Sequence, residues 1–563
     1  MYTTNEGIEY MKTRRSWWAW GVEGAGPTPQ EELDFVRTIT SRFGSEGVVE
    51  KQPVPIDAAN VSSPKLELPD SLKEIVTVDR YERVRRTYGR GYMDIVRGFY
   101  GDFSNAPDVV ASPRTEQQLC SVLEWAGDIG AAVVPYGGGS SVAGGVDGGG
   151  DWAGNFAGVV TIDLEHFNRV LEVDPVSRAA RVQAGVLGPH LEDQLRAENY
   201  TLRHFPQSFE FSSLGGWLAT RAGGHYATGY THIDDLVESI RMVTPTGTSE
   251  SRRLPGSGAG PSPDRLVLGS EGILGVITEA WMRIQERPRY RASLGVTFDS
   301  YDQGVAATRE VAQAGLFPSN CRLLEMAEAN PARASEGGAV LVLGFESADH
   351  PVDSWITRGV EICEKHGGRV PEGIESEGPD SASTRRNDGL VGTWRRQFIV
   401  GPYLMATQVR HGIFGENYET ACTWSEFEAL HTDVVESVRE VIRTDCQGRG
   451  DLTCRFTHVY PDGPAPYFTV RAVAGHGREL EVRERVENAI SEAFLRNGGT
   501  ITHHHAVGRQ RRPWYDQQRP DFMARALAAT KAALDPQGLL NPGVLIDPIG
   551  ASTPSDQITV ERI

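Results

Sequence analysis

The sequence predicts an α+β protein built as two lobes. Three observations carry that expectation. The chain has 563 residues, enough for two to four domains or one large two-lobed enzyme. Its 63 glycines gather in short clusters without a period, so neither a collagen-like nor a low-complexity chain fits. From residue 286 to 470 strands and helices alternate with less glycine.

Residues 1–104 form a charged, partly helical N-terminal segment, which Trp17, Trp18 and Trp20 are expected to pin by aromatic packing. The arginine-rich stretch Arg80–Arg97 reads as a helix with a solvated face; the alternative is a surface for an anionic substrate or lipid headgroups. Thr115–Gly130 places Leu119, Val122, Leu123, Ala126 and Ile129 on one helical face. Ala131–Pro135 is a short apolar strand, and Val159–Leu164, Val170–Val173 and Ala180–Ala184 alternate as strands. Tyr290–Phe298 and Ala339–Phe345 read as strands. Asp302–Ala314, Val352–His366, Trp424–Thr444 and Glu481–Asn497 read as helices. Glu372–Asp388 is polar and reads as a mobile loop, and Asn541-Pro542-Gly543 closes the fold.

Charge and composition exclude several functions. A net charge of −19 argues against a generic nucleic-acid binder. No apolar run approaches the ~20 residues that span a bilayer. The N-terminus lacks the apolar region of a secretory signal, and Val560-Glu561-Arg562-Ile563 is not a peroxisomal tripeptide. A cytoplasmic protein is expected. The six cysteines contain no C-x-x-C pair and are expected to be reduced thiols.

Three glycine-rich segments suggest a ligand. Pro135-Tyr136-Gly137-Gly138-Gly139-Ser140-Ser141 is not a dinucleotide fingerprint, because Val142 stands where G-x-G-x-x-G needs glycine and strands follow it. Nor is it a Walker A loop, since no Gly-Lys-Ser/Thr closes it. Its consecutive glycines still expose backbone N–H groups, which suits a pyrophosphate as well as a structural turn. Gln207-Ser208-Phe209-Glu210-Phe211-Ser212-Ser213, running on to Thr220-Arg221-Ala222-Gly223, places small and hydroxyl residues at expected strand-loop junctions. Glu271-Gly272-Ile273-Leu274-Gly275-Val276-Ile277 is a turn entering a strand. One extended ligand threaded between the three is the expectation.

These segments, with His503-His504-His505-Ala506-Val507-Gly508 and Asp535-Pro536, resemble the vanillyl-alcohol-oxidase-type FAD-binding flavoproteins. Within them the match is to the alkyldihydroxyacetonephosphate synthase family, over nearly the whole chain. The resemblance implies a two-lobed PCMH/VAO-type fold: an FAD-binding domain at 105–285, a substrate cap domain at 286–500 built on a sheet covered by helices, a C-terminal segment at 501–548 packing back on the FAD domain, and a tail at 549–563. It places FAD contacts on the residues of the three glycine-rich segments. Non-covalent FAD is expected, because serines follow the triple glycine and no cysteine lies near Phe209–Trp217. The implied reaction exchanges the acyl group of acyl-dihydroxyacetone phosphate for a fatty alcohol through a flavin N5 adduct. The alternative in the same fold is an FAD-linked oxidoreductase acting on a 2-hydroxy acid or alcohol. Peripheral membrane contact and a homodimer are family expectations.

The resemblance also points to side chains. Tyr467 matches the family's active tyrosine and could exchange a proton if a neighbouring charge lowers its pKa; otherwise it is a half-buried strand tyrosine. His503, His504 and His505 could polarise substrate oxygens, hold phosphate or tune the tyrosine. In an extended segment His503 and His505 would share a face. A metal site is rated below these roles, since tandem histidines lack the usual ligand spacing. Arg322 matches a sensitive family arginine, or else makes a structural ion pair. Arg509, Arg511 and Arg512 could serve the phosphate or be solvated. The family's substrate arginine aligns with Met405, and methionine cannot make a bidentate phosphate contact. Either Arg410 or another cation substitutes, or the substrate has changed.

Overall fold

A computed structural model describes residues 14–230, 232–330, 337–379 and 389–548. The tail 549–563 and residues 380–388 of the expected loop lie outside the described residues. The two lobes predicted by the alternation of elements are present.

The first lobe begins with two short helices, α1 (Arg80–Arg85) and α2 (Tyr92–Phe99). Here the expectation of a solvated arginine face is corrected. Arg83, Arg86 and Arg90 are buried. Arg83 donates to the carbonyls of Pro107 and Ser62, Arg90 to those of Gly89 and Ser16, and Arg86 pairs with Asp163 at 2.5 Å. Arg83 and Arg90 satisfy backbone oxygens and Arg86 a buried carboxylate, which the charge pattern alone could not reveal. Trp17 and Trp18 do pack as expected, against Phe103 and Phe99.

Next come α3 (Glu116–Ile129) and β1 (Ala132–Tyr136). Thr115 caps α3 by accepting from the Gln118 N–H, and Gly130 ends it in a left-handed conformation at φ 67°. β1 runs parallel to β2 (Val159–Asp163), and the bonds of Val133 to Leu539 and Asn541 draw the C-terminus onto its other side. An antiparallel sheet holds β3 (Val170–Asp174), β4 (Ala179–Gln183), β5 (Val237–Thr244) and β6 (Val276–Arg283). The segment after Ser213 is a helix, α4 (Leu214–Thr220), capped by the Ser213 hydroxyl; the expected strand-loop junction is corrected there. One apolar cluster, centred on Leu119, Val133, Val160, Val182, Leu214 and Val276, fuses these pieces.

The second lobe is a seven-stranded antiparallel sheet. Its strands include β7 (Tyr290–Phe298), β8 (Asn320–Glu325), β9 (Ala339–Ser347), a short β10 (Glu375–Glu377) inside the predicted loop, β11 (Ile413–Glu419), β12 (Gly450–Val459) and β13 (Pro464–Val473). The order is β10-β7-β9-β8-β12-β13-β11. One face is apolar: Cys321, Leu323 and Phe456 join one helix-covered cluster, Tyr418 and Phe468 another. Alternation by two then puts Asn320, Arg322, Arg455, Tyr467 and Glu419 on the opposite face, which registers as Glu419↔Tyr467↔Arg455↔Leu324 across four strands.

Candidate active site

The β12–β13 hairpin builds the centre. Pro461-Asp462-Gly463 turns it, with the Tyr460 N–H donating to the Gly463 carbonyl at 2.9 Å. The pairing slips between Phe456 and His458, so Thr457 is an extra residue. Without that bulge His458 would lie on the same face as Phe456, in the apolar cluster. With it, His458 opposes Ala465 and joins Arg455 and Tyr467.

Glu419 organises the histidines. The chain at 502–505 is not extended but turns around this carboxylate. The N–H groups of His503, His504 and His505 donate to it at 2.7, 3.1 and 3.0 Å, and the Thr502 hydroxyl donates at 2.5 Å. The expectation that His503 and His505 share a face opposite His504 is therefore corrected: the three rings pack on one another around a bend. His504 and His505 lie 4.5 Å apart by ring centroids, and His458 lies 5.0 Å from His503. Burial works to raise the Glu419 pKa, but the His504 and His505 imidazoles, the hydrogen bond from His504 and the His503 ring outweigh it and hold it well below the usual range. Four donors on one carboxylate dictate the same direction.

Tyr467 is buried, beneath the Arg455 guanidinium at 4.0 Å from its ring centroid and beside His504 and His505. Among the described residues its hydroxyl has no hydrogen-bond partner. The expectation of a lowered phenol pKa is corrected. Burial pushes it up to about 12; Arg455 opposes this and Glu419 adds to it. Tyr467 thus rests as a neutral phenol. Burial likewise pushes His503 down to about 3, with His504 contributing, and takes His458 and His505 well below the ordinary range. His458, His503 and His504 each have a ring nitrogen within 4.8 Å of one in the other two, a spacing that could hold a cation. His503 Nδ1 and His504 Nδ1 lie 2.9 Å apart and are engaged with each other.

Arg322 sits on the same face, buried, with its guanidinium 5.1 Å from the Phe398 ring. Desolvation, with Arg455 contributing, lowers its pKa to about 9, so it stays cationic at pH 7. Phe398 belongs to α5 (Gly389–Arg410) and lines a cavity of about 900 Å³ between the lobes. Met405 and Arg410, on that helix, do not line it. Met405 packs against the apolar cluster of Tyr92 and Phe414, and Arg410 pairs with Glu32 and Glu50. Against the expectation that one of them meets the substrate, neither Met405 nor Arg410 is placed at this cavity. Arg509, Arg511 and Arg512 are neither solvated nor offered to phosphate, because they donate to the Pro542, Ala506 and Gly543 carbonyls among others.

The cavity wall includes Tyr136, Gly137, Gly138, Gln207, Phe209, Glu210 and Phe211, drawn from two of the glycine-rich segments. The remaining predicted contacts are placed differently. The hydroxyls of Ser141, Ser212, Ser213 and Thr220 are bonded within the protein. The side chains of Ile273, Leu274, Val276 and Ile277 are spent on apolar cores, leaving only backbone to a ligand. Glu271 accepts from the Val507 and Gly508 N–H groups and ties the turn to the histidine segment. Gly223 lies where a Cβ would stand 3.0 Å from His458, bringing the second segment against the histidines.

The residues fit FAD on three grounds. The cavity matches the upper range of ligand sites, ~300–1,000 Å³. The triple-glycine loop leaves no room for side chains: a Cβ on Gly138 would stand 1.8 Å from the Phe211 carbonyl oxygen, and Gly139 has φ 67°. Finally, buried Nδ1 atoms of His458 and His505 have no hydrogen-bond partner among the described residues. Overpacking costs ~1–3 kcal/mol. Gly138→Ala should therefore weaken FAD retention roughly tenfold or more, read as the flavin-to-protein absorbance ratio of the purified protein; an unchanged ratio would place the cofactor elsewhere.

Sequence reasoning missed His458, Tyr460, Arg455 and Glu419. The Pro461-Asp462-Gly463 turn signal could have revealed the hairpin, and the hairpin would have set Arg455 beside Tyr467.

Comparison with known proteins agrees with this geometry. Residues 107–251 match the FAD binding domain model, and residues 287–545 match the model for the C-terminal domain of FAD linked oxidases. An alkyldihydroxyacetonephosphate synthase of Caenorhabditis elegans is 30% identical, over 83% of this chain and 81% of that protein. One from Dictyostelium discoideum is 28% identical, over 86% and 79%. A solved alkyldihydroxyacetonephosphate synthase structure superposes with a TM-score of 0.76 at 24% identity, covering 94% of this chain and 98% of that one. The chain belongs to the alkyldihydroxyacetonephosphate synthase family of FAD-binding flavoproteins.

Proposed function

We propose that the protein exchanges the fatty acyl group of acyl-dihydroxyacetone phosphate for a fatty alcohol, forming an ether lipid precursor and releasing the fatty acid. The observation that carries this reading is the Tyr467 hydroxyl. Its residue is buried with its ring beside His504 and His505, it has no hydrogen-bond partner among the described residues, and it belongs to a chain 30% identical to a synthase of that name. The exchange breaks one C–O bond and makes another, with no net redox change.

Bound FAD supplies the ring chemistry of the exchange, and the segments around Gly137 and Phe209 hold it. The chain's own groups do the rest. Tyr467, as a neutral phenol, donates a hydrogen bond to the departing carboxylate oxygen. Arg455, 4.0 Å from its ring centroid, stabilises negative charge arriving on that oxygen. The histidines offer acceptor nitrogens for the alcohol proton. Arg322 is the buried cation placed behind the cavity wall and serves the substrate phosphate. Burial of Tyr467, Arg455 and Arg322 limits the access of water, which would otherwise compete with the alcohol. Lipid substrates further imply peripheral membrane contact, though not through Arg83, Arg86 and Arg90, which face inward.

The test is a product assay. FAD-loaded protein is incubated with palmitoyl-dihydroxyacetone phosphate and hexadecanol, and the lipids are read by mass spectrometry. Equimolar alkyl ether and palmitate are expected. FAD bound with no ether, and flavin bleached by a 2-hydroxy acid, would replace this reading with an FAD-linked oxidoreductase.

A further inference from the structure

We propose that Tyr460, His503 and His504 form a proton relay linking the buried Tyr467 site to a solvent-open cleft. The inference rests on the exchange reaction proposed above, which must dispose of a proton. As the ether C–O bond forms, the alcohol O–H bond breaks, beside the buried Tyr467.

Two contacts of hydrogen-bond length and one ring stack join the ends. The Tyr460 hydroxyl lies 2.7 Å from His503 Nε2, and His503 Nδ1 lies 2.9 Å from His504 Nδ1. The His504 ring then runs nearly parallel to that of Tyr467, at 20° and 6.2 Å between centroids. At the other end Tyr460 lines a second cleft of about 670 Å³, with Cys422, Gly499, Thr500 and Gln518. This cleft is distinct from the cavity between the lobes and shares no lining residue with it.

The proton count balances in one direction of tautomers. His504 Nε2 takes the alcohol proton while its Nδ1–H passes to His503 Nδ1. His503 Nε2–H passes to the Tyr460 oxygen, and the Tyr460 O–H proton goes to water in the cleft. Each group gains one proton and loses one, so no charge is left buried. The rings return to their starting tautomers when a proton from cleft water passes back along the same links and leaves on the departing carboxylate as the free fatty acid. Neutral groups suit such a transfer. Burial and the His504 ring drive His503 to the neutral form, and burial pushes the Tyr460 phenol upward. The rings are also held in place. His458 donates from Nε2 to the Gly224 carbonyl at 2.9 Å and packs on His503 and His504, while Glu419 fixes their backbone. Tyr460 acts through His503, so it is a positioning residue of the reaction rather than a catalytic one.

The test uses the FAD-loaded protein and Tyr460→Phe, which keeps the ring and removes the hydroxyl. The relay predicts a fall in kcat of roughly tenfold, an unchanged KM, and a larger solvent deuterium isotope effect. It also predicts partial recovery of kcat with added imidazole, which can enter the cleft. A second readout does not depend on turnover. In protein labelled with 15N-histidine, exchange of the His503 and His504 ring protons with water should slow roughly tenfold in the variant. If Tyr460→Phe does not fold, 3-fluorotyrosine at position 460 retains the hydroxyl and should change the same exchange rate. Equal ring-proton exchange in parent and variant overturns the relay. Absence of ether product from the parent, with exchange slowed in the variant, instead overturns the reaction and leaves the conduit standing.

Discussion

Tyr467→Phe is expected to remove ether formation by at least ~100-fold in kcat while leaving flavin content and thermal stability near those of the parent. Removing one donor to a developing negative charge costs ~10²–10³-fold, and the other hydroxyls on the same face of these two strands, Thr453 and Thr469, are engaged with Glu328. The ring is what holds position 467 in the fold. It is buried, paired across the sheet with Arg455 and Glu419, and flanked by His504 and His505. Phenylalanine keeps all of that packing. The hydroxyl makes no hydrogen bond among the described residues, so its loss orphans no protein partner. The outcome therefore separates chemistry from architecture. A variant with intact flavin spectrum, parental melting and no product assigns the hydrogen bond to the departing carboxylate to the phenol. A variant that retains activity within a factor of a few would leave Tyr467 as an aromatic wall and transfer the role to the histidines.

The high phenol pKa gives this prediction a sign in pH. The parent's Tyr467, pushed up to about 12 by burial, remains a donor throughout the neutral range. Activity that depends on its donor form should therefore show no loss between pH 6 and 9 attributable to phenol ionisation.

What was legible in the sequence was local. Thr115 and Gly130 bound a helix because a cap acts within one turn, and Gly137-Gly138-Gly139 announced a backbone approach that the Phe211 carbonyl explains. Tyr467 and the histidines came from motif resemblance. What was hidden was set by register and long-range contact. His458 reaches the site only because Thr457 is bulged, and a period-two reading assigns it to the wrong face. Arg83, Arg86 and Arg90 resemble a charged surface until the carbonyls they serve, from residues far away in the chain, are in place. Met405 looked like a lost phosphate ligand because an alignment carries no direction; on α5 it turns to the core while Phe398 and Tyr403 turn to the cavity. The relation between 419 and 503–505 spans more than eighty residues and leaves no periodic trace.

That same carboxylate gives the largest expected effect on stability. Glu419 is buried, and the main-chain turn that presents three histidines is folded around it. Glu419→Gln keeps the size but puts an NH2 group against N–H donors, leaving donors unpaired in the interior. Breaking such a buried charged network by removing one partner costs about 3–5 kcal/mol. Activity should fall by about 100-fold as well, since a misplacement near 1 Å is enough to do so. The pH dependence identifies the cause. The folded-state pKa lies below the usual carboxylate value, so the ionised form favours the fold. Its contribution is complete above the unfolded pKa of about 4.3 and is lost as pH falls through the folded value. The melting difference between parent and Glu419→Gln should therefore be constant from neutral pH to about pH 5 and shrink only in stronger acid. A difference that instead shrinks between pH 7 and 5 would mean that the carboxylate is protonated there. The histidine turn would then be held by something other than its charge.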